Sequence, residues 1–378
     1  MSAMKALVTA PGNTAVVADV PIPEPSANEI RIKVQTVALN PIDPLYVAHP
    51  QGDPGRVIGS DIAGIIDKVG ENVKEWSVGD RVAGFLQGAT SVNPRPGGFA
   101  EFAVLEADLA IRIPSAATFE EAATLPLCAL TAAQALFIRL GLHAPFPHNS
   151  AEAELGDSPA ILIYSAATSV GLLAVELARV ARTASGKPYR IFATASEKHH
   201  QRLLDSGVDA VFDYRSPSWP EEVLKASGGI SAALDCISED DSTLKISHTF
   251  VESGGTIAVL RKSAWYPDGH KANVSAVYSA VWSGLGHDIY YNGGEIPASS
   301  SWRAFTVEFF KFLSAGSPVD PSLFPIEPVP PRLMPGGLEA VVPDAFPLLG
   351  SGKVIDRNHE GSEPWLQPIS AEKLVYFL

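Results

Sequence analysis

The residues best able to do chemistry in this chain lie between Ala160 and Ala181. An apolar run, Ala160-Ile161-Leu162-Ile163-Tyr164, has the composition of a strand buried on both faces of a parallel sheet. Small residues follow, Ser165-Ala166-Ala167-Thr168-Ser169, and then Val170 and Gly171. Val170, Leu173, Ala174, Leu177, Val180 and Ala181 recur at helical spacing, with Glu176, Arg179 and Arg182 turned elsewhere. Strand, small-residue turn and helix is an arrangement that holds a dinucleotide's pyrophosphate. The backbone must approach the phosphates closely, and the helix N-terminus offers unpaired N–H groups and a positive dipole end. The glycine pattern is reduced, however. Where G-x-G-x-x-G places its first two glycines this chain has Ser and Ala residues, and only Gly171 remains at the helix-packing position. The stretch therefore also fits a plain buried strand–helix pair.

The next strand extends the cofactor argument. Ile191-Phe192-Ala193-Thr194-Ala195 runs into Ser196-Glu197-Lys198-His199, where an NAD binder would carry an acid for the ribose 2′-hydroxyl. A hydroxyl and a cation, Ser196 and Lys198, suit a 2′-phosphate instead, and Tyr214 after the third strand could reach the same place. Glu197 speaks against that reading, and Ser196 would serve equally as the N-cap of a solvated helix start. The balance favours NADPH over NADH.

The elements that must position these residues follow from pattern. Residues 1–130 read as mostly β: Ile30, Ile32 and Val34 alternate with Arg31, Lys33 and Gln35, and turn signals such as Pro11-Gly12, Asp53-Pro54-Gly55 and Val78-Gly79-Asp80 come often. A barrel-like or sandwich-like domain is expected there. A helix is expected to begin at Thr131, followed by a Pro/His/Ala/Glu loop over 143–159. Strands at 160–164, 190–195, 209–213, 231–237 and 255–260 alternate with helices at 170–182 and 198–206, which predicts a doubly wound parallel sheet. The tail from about 315 is Pro-rich and closes with the apolar strand Lys373-Leu374-Val375-Tyr376-Phe377.

Composition sets limits. The chain has 378 residues, enough for two domains, with 46% hydrophobic and 19% charged residues, as in an ordinary globular protein. A formal net charge of −14 argues against nucleic acid or an anionic membrane as partner. Cys128 and Cys236 are expected to be core thiols, since two cysteines make neither a disulfide framework nor a metal cluster. No signal-peptide pattern or membrane span is evident, so the expected location is cytoplasmic, as a monomer or dimer.

Several motifs, in order along the whole chain, resemble the medium-chain dehydrogenase/reductases. They are Val37-Ala38-Leu39-Asn40-Pro41-Ile42-Asp43, Gly59-Ser60-Asp61-Ile62-Ala63-Gly64, Val78-Gly79-Asp80-Arg81-Val82-Ala83-Gly84, Gly97-Gly98-Phe99-Ala100-Glu101-Phe102, Leu125-Pro126-Leu127 with Leu130-Thr131-Ala132, and Ser370-Ala371-Glu372-Lys373-Leu374-Val375. Within that family, the 143–159 loop, Phe212-Asp213-Tyr214-Arg215 and Leu234-Asp235-Cys236-Ile237 are most similar to the fungal trans-acting enoyl reductases of polyketide biosynthesis. The resemblance implies an α/β fold: a GroES-like, mostly-β catalytic domain (1–130 and 300–378) with an inserted Rossmann NADP-binding domain (131–299). It implies NADPH contacts at Ile42, Asp43, Pro44 and Leu45, at Ala167, Thr168, Ser169 and Val170, at Ser196, Glu197, Lys198 and His199, at Tyr214, Leu260 and Arg261, and at Ile369 and Ser370.

Two departures bear on the chemistry. Zinc members of the family use a Cys and a Gly-His-Glu as ligands, with four further clustered cysteines. Here the segment reads Gly59-Ser60-Asp61 and no cysteine precedes Cys128, so no metal is expected. Related reductases also carry Asn-Pro-x-Asp-x-Lys, but Leu45 stands at the lysine position. Tyr46 is the nearby candidate for its work, or else a half-buried aromatic.

Reducing an activated alkene requires a hydrogen-bond donor where charge gathers on the thioester oxygen. Thr131 is the candidate for orienting cofactor or carbonyl. Ala132, Ala133, Gln134, Ala135, Leu136, Phe137, Ile138 and Arg139, with Tyr278 and Trp282, are expected to line the acyl pocket, although core packing would use the same residue types. The expected activity is a zinc-independent NADPH-dependent enoyl reductase acting on an acyl-carrier-protein-bound polyketide intermediate. The alternatives are a stand-alone quinone or enone reductase, and a non-redox cyclisation catalyst or binding protein on the same fold.

Overall fold

The structure, a computed structural model, describes residues 2–92, 95–151, 153, 155, 158–261, 269–291, 294–358 and 361–378. It divides into two compact units: Met1–Leu127 with Trp282–Leu378, and Cys128–Val281. The return to the first unit comes at Trp282, where the sequence suggested 300; the Trp282 indole bonds Gln87 O and Tyr290 N–H bonds Ser91 Oγ. None of the described helices is long and apolar enough to cross a membrane.

The first unit is built on a seven-stranded sheet. Its spine is Glu29–Ala38, where Ile30, Ile32 and Val34 are buried and Arg31 and Lys33 turn outward, the period-two pattern of a half-buried strand. From Thr36 onward successive residues are all buried, so the strand plunges into the interior before Asn40. Asp61–Val69, Phe102–Glu106 and Lys373–Phe377 all pair with it antiparallel. The closing strand therefore sits beside an N-terminal one, and Pro331–Met334 adds to it in parallel. Gly59 has a positive φ of 91°, and a Cβ there would lie 2.0 Å from the Phe99 ring, so only glycine fits.

One buried ion pair secures this arrangement. Lys373 Nζ meets Asp61 Oδ2 at 2.5 Å across 312 residues of sequence, with side chains 2% and 0% exposed. Asp61 accepts two more bonds, from Asn40 Nδ2 at 2.9 Å and Leu127 N at 2.8 Å, and Lys373 also donates to Thr124 O. A buried pair is tolerable when its remaining lone pairs and protons are met in this way.

The second unit is a six-stranded parallel sheet. Its spatial order is Ala210–Phe212, Arg190–Thr194, Ala160–Tyr164, Ala232–Asp235, Gly255–Val259 and Val274–Tyr278. In sequence terms that is 3-2-1-4-5-6, the doubly wound order with a switch point between the first and fourth strands. Ile161, Leu162 and Ile163 are sealed on both faces as their apolar run requires. The sixth strand was not expected from the sequence; Val274-Ser275-Ala276-Val277-Tyr278 is short and only Val274 is fully buried. The helix expected to begin at Thr131 instead spans Pro126–Ala133. Proline's fixed φ and missing N–H suit a first helical turn, which accounts for the earlier start. Gln134–Arg139 continues as a π-helix.

Replacing Lys373 by Met should cost about 3–5 kcal/mol of stability, because it strands a buried carboxylate. The double variant Lys373→Met/Asp61→Asn should recover much of that loss. Denaturant unfolding of the four chains checks it; a single-variant loss below about 1 kcal/mol, the scale of an exposed pair, would contradict the role assigned to the pair.

Candidate functional site

The switch point of the parallel sheet makes a mouth at the carboxyl ends of Ala160–Tyr164 and Ala232–Asp235. After Tyr164 the chain turns through Ser165, whose φ of 59° is left-handed and unusual for a residue with a side chain. The turn is anchored to the neighbouring strand: Ser165 N–H bonds Thr194 Oγ1 at 2.9 Å and Ala166 N–H bonds Thr194 O at 2.9 Å. Thr168 caps the helix Ser169–Val180, accepting from Gly171 N–H at 3.1 Å and donating to Ser165 O at 2.9 Å. A Cβ on Gly171 would lie 2.6 Å from Ala166 Cα and 2.7 Å from Ser165 O. Glycine is thus retained where helix meets turn, while Ser and Ala suffice elsewhere. Ser169 and Val170 are the first two residues of that helix, where backbone N–H groups have no intrahelical acceptor.

Opposite lies a second strained turn. Ser238 has φ 52° and Asp240 φ 52°. Asp235 organises this turn, accepting from Ile237 N–H, Ser238 N–H and Ser242 Oγ at 3.0, 2.7 and 2.6 Å. Burial pushes its carboxyl up, and those bonds oppose the shift. Ser238 Oγ receives Leu260 N–H at 2.9 Å, tying the end of the fifth strand to the same turn. Left-handed residues on both lips are local strain held by hydrogen bonds, the condition in which functional turns are found. Asp235 and Ser238 were not singled out as site residues in the sequence, since nothing in their types foretells a left-handed turn.

The ribose end lies on the other flank. Thr194 and Phe212 are register partners, and Ser196 and Tyr214 each stand two residues beyond that pair. Lys198 and Glu197 are both exposed, and neither makes an ion pair or side-chain hydrogen bond among the described residues. Ser196 makes no capping bond, so the N-cap alternative is not realised. Tyr214 is 38% exposed, with the Arg215 guanidinium 5.1 Å from its ring centre. Arg261 is already held by Glu239 at 3.1 Å.

Other candidates lie in the first unit. Ile42–Ala48 forms a short helix in which Asp43, Pro44 and Tyr46 are buried and Leu45 is half-buried. Asp43 accepts from Asn40 N–H at 2.7 Å. Its carboxyl is pushed up to about 8, chiefly by burial, with Asp61 adding and the Asn40 N–H and Lys373 opposing. Ile369 and Ser370 are half-buried just before the closing strand, where Ser370 N–H bonds Glu372. Trp282 is 4% exposed, bonding Gln87 O at 3.1 Å. A cavity of about 630 Å³ in this unit is lined by Phe85, Leu105 and Leu285 together with Arg95, Glu106 and His287. Burial would raise Glu106, but His287, Arg303 and Arg95 overrule it and hold it at about 2. Sequence reasoning gave no sign of this cluster, in which Glu106 and Arg303 are bonded across 197 residues.

The expected acyl-pocket helix divides in the second unit. Ala132, Ala133, Gln134, Ala135, Leu136 and Phe137 are at most 1% exposed, whereas Thr131, Ile138, Arg139 and Tyr278 reach the surface in part. Thr131 lies in the last turn of its helix and not at its start, where it was expected. Cys128 and Cys236 are buried and unbonded to each other, as expected of core thiols. Of the loop 143–159, Glu152, Glu154, Gly156 and Asp157 lie outside the described residues.

A doubly wound sheet with a ligand mouth at its switch, inserted between two segments that together build a mostly antiparallel unit, defines a medium-chain dehydrogenase/reductase. Residues 26–115 match the alcohol dehydrogenase GroES-like domain. Along its length the chain is 31% identical over 313 residues to the trans-enoyl reductase ACTTS2 of Alternaria alternata, covering 82% of this chain and 86% of that one. It is 30% identical over 340 residues to the trans-enoyl reductase phm4 of Pyrenochaetopsis sp, covering 88% of each. The solved structure of CurK enoyl reductase shares the fold, with a TM-score of 0.71 over 99% of this chain and 98% of that one at 20% identity. This chain belongs to the family of the fungal trans-enoyl reductases, oxidoreductases of the medium-chain class.

Asp43 gives the site a pH signature. Its folded pKa of about 8 lies above the ordinary 3.8, so over that window the folded chain binds a proton that the unfolded chain has lost. Stability then falls as pH rises through the window. Asp43→Asn stays neutral throughout and can still accept from Asn40 N–H. The melting temperature of the variant minus that of the natural chain should climb from acid pH to about 8 and then level off. A flat difference would place the Asp43 pKa elsewhere.

Proposed function

We propose that this protein is a zinc-independent, NADPH-dependent enoyl reductase that acts in trans, in the cytoplasm and as a monomer or dimer, on an α,β-unsaturated polyketide chain held by an acyl-carrier protein. The observation that carries the reading is the mouth of the parallel sheet. It joins a helix N-terminus to a second-strand end that carries a hydroxyl, an exposed lysine and a tyrosine beside the acid Glu197. These residues fit a dinucleotide phosphate: Gly171 admits the close turn, and Ser169 and Val170 present donors. Bound there, a dihydronicotinamide supplies a hydride. The chain's own residues do the rest. Ser169 and Val170 hold the pyrophosphate, and Ser196, Lys198 and Tyr214 hold the 2′-phosphate. Leu260 follows the fifth strand on a backbone fixed by Ser238, and Thr131 orients cofactor or carbonyl.

Zinc independence is supported by the donor set. Asp61, the acid in the segment where zinc members carry ligands, already has both oxygens committed to Lys373, Asn40 and Leu127. Among the described residues no group of three His, Cys, Asp or Glu side chains could hold a metal ion. Leu45 removes a cation from the motif, so substrate alignment must come from other groups.

Lys198→Ala removes one charge-assisted contact, worth about 1.5–3 kcal/mol, so NADPH should bind about tenfold or more weakly while NADH barely changes. Equal weakening of both, read by titration, would reject the 2′-phosphate assignment. The activity itself is tested by kcat/KM for one enoyl group presented as a simple thioester, as a pantetheine thioester and on the carrier. The value should rise along that series, because remote binding energy aligns the alkene and tethering raises local concentration. Equal values, or faster turnover of a free quinone, would favour a stand-alone reductase; NADPH bound but never oxidised would favour a cyclisation catalyst or binding protein.

A further inference from the structure

The second unit contains a guanidinium without an acid. Arg139 ends the π-helix Gln134–Arg139, and its one hydrogen bond is from Nη1 to Val259 O at 2.9 Å. Its Nε is sealed from solvent and has no acceptor. No carboxylate among the described residues pairs with it, in a chain whose net charge is −14. Burial pulls its pKa down to about 10, and only the Tyr278 phenol opposes that. The residue reaches the surface in part, but a sealed Nε without an acceptor is costly, and a fold with acid to spare has placed none beside it.

Two more orphaned polar atoms lie along the same sheet edge. Val259 and Tyr278 are register partners at the carboxyl ends of the fifth and sixth strands. Ser279, the next residue, has a buried hydroxyl with no partner. Gln134 donates Nε2 to Val281 O at 3.1 Å, leaving its buried Oε1 without a donor. The amide orientation is fixed, since only the nitrogen end can donate to a carbonyl. Gln134 and Arg139 are the first and last residues of the π-helix, whose i→i+5 bonding stacks positions five apart more nearly on one face than an α-helix does. A cation and a hydroxyl lack an acceptor, and an amide oxygen lacks a donor. Buried polar groups in native proteins are almost always partnered, so three at one edge point to a ligand.

We propose that Arg139, Ser279 and Gln134 form a receptor for an acyl-pantetheine thioester, in which the guanidinium and hydroxyl take the thioester oxygen as it becomes an enolate and the glutamine oxygen takes an amide N–H of the pantetheine. This rests on the enoyl-thioester reading of the site. The enolate oxygen is where charge collects once the alkene is reduced, and preorganised donors in a dry site are most effective there. The pantetheine arm supplies both groups the three side chains lack: an oxygen that becomes anionic, and amide N–H donors. Arg139 is thereby a catalytic residue, and its unpaired burial is stability given up for function.

The probe is acetoacetyl-pantetheine, which ionises to a stable enolate and cannot be reduced as an alkene, so binding is read from the enolate's ultraviolet band without turnover. Ser279→Ala removes a hydroxyl that bonds nothing in the protein, and Arg139→Lys keeps a cation that can still reach Val259 O. Both should melt as the natural chain does, yet bind the enolate about tenfold or more weakly. Arg139→Met should lose enolate binding too and melt no lower than the natural chain, the reverse of what a structural strut would do. Folded Ser279→Ala and Arg139→Lys that bind the enolate as the natural chain does would overturn the proposal. If the natural chain reduces no enoyl thioester yet binds the probe through Arg139, the receptor stands and the reductase reading falls.

Discussion

The Asp61–Lys373 ion pair is the contact on which the first unit depends. It joins the first residue of the strand Asp61–Val69 to one five places from the end of a 378-residue chain, with both side chains buried. The two segments, separated by an entire inserted unit, also meet through Arg303 with Glu106 and through Trp282 with Gln87, but those contacts lie away from the closing strand. The closing strand pairs with Glu29–Ala38 at Val375, Tyr376 and Phe377, a short ladder. A charge pair at its root fixes which lysine meets which acid, and so the register. In this region a metal-dependent relative would have spent its ligands on zinc. Here Asn40, Leu127 and Lys373 spend the Asp61 oxygens on the fold.

The second unit solves a different problem. Its strands are short, all parallel and apolar, so stability comes from burial on both faces and little is asked of the loops at their carboxyl ends. That freedom is used for strain. Ser165 and Ser238 hold left-handed conformations on the two lips of the mouth, each fixed by hydrogen bonds to neighbouring strands or turns. A glycine-rich turn reaches such conformations freely, but serine does so only when the surroundings insist. The reduced glycine pattern is therefore compatible with a phosphate-binding turn, because Thr194, Thr168 and Asp235 supply the constraint that glycine would have made unnecessary.

Both units place their perturbed titratable groups in small buried clusters. Asp43 shares its surroundings with Asp61 and one lysine, so burial and a like charge keep it protonated well above the usual carboxylate range. Glu106 meets the opposite environment, two guanidinium groups and a histidine hydrogen bond around one carboxylate, and is held ionised. Arg139 has neither arrangement. Its partner is a carbonyl, and its charge is unbalanced within the unit. Groups of one chemical type thus behave differently according to the company that folding provides.

How much of this was legible in advance follows from the range of the interactions. Strands such as Ala160–Tyr164 and Lys373–Phe377, the alternation in Glu29–Ala38 and the strand–helix succession of the parallel sheet are written in local periodicity, because burial on one or two faces demands a matching run of apolar residues. The turn that keeps Gly171 is legible for the same reason: a helix cannot approach a strand end that closely around a side chain. The helix start at Pro126 and the strand Val274–Tyr278 were not, since tertiary packing decided them against weak local signals. The sequence alone determined the architecture and the family. Only the tertiary structure could decide that Asp61 is bound to lysine, that Asp43 keeps a proton, that Ser165 and Ser238 are strained, and that Arg139 has no acid. Those properties belong to pairs and clusters of residues far apart along the chain, and neither a charge's partner nor its absence can be read before the chain has folded.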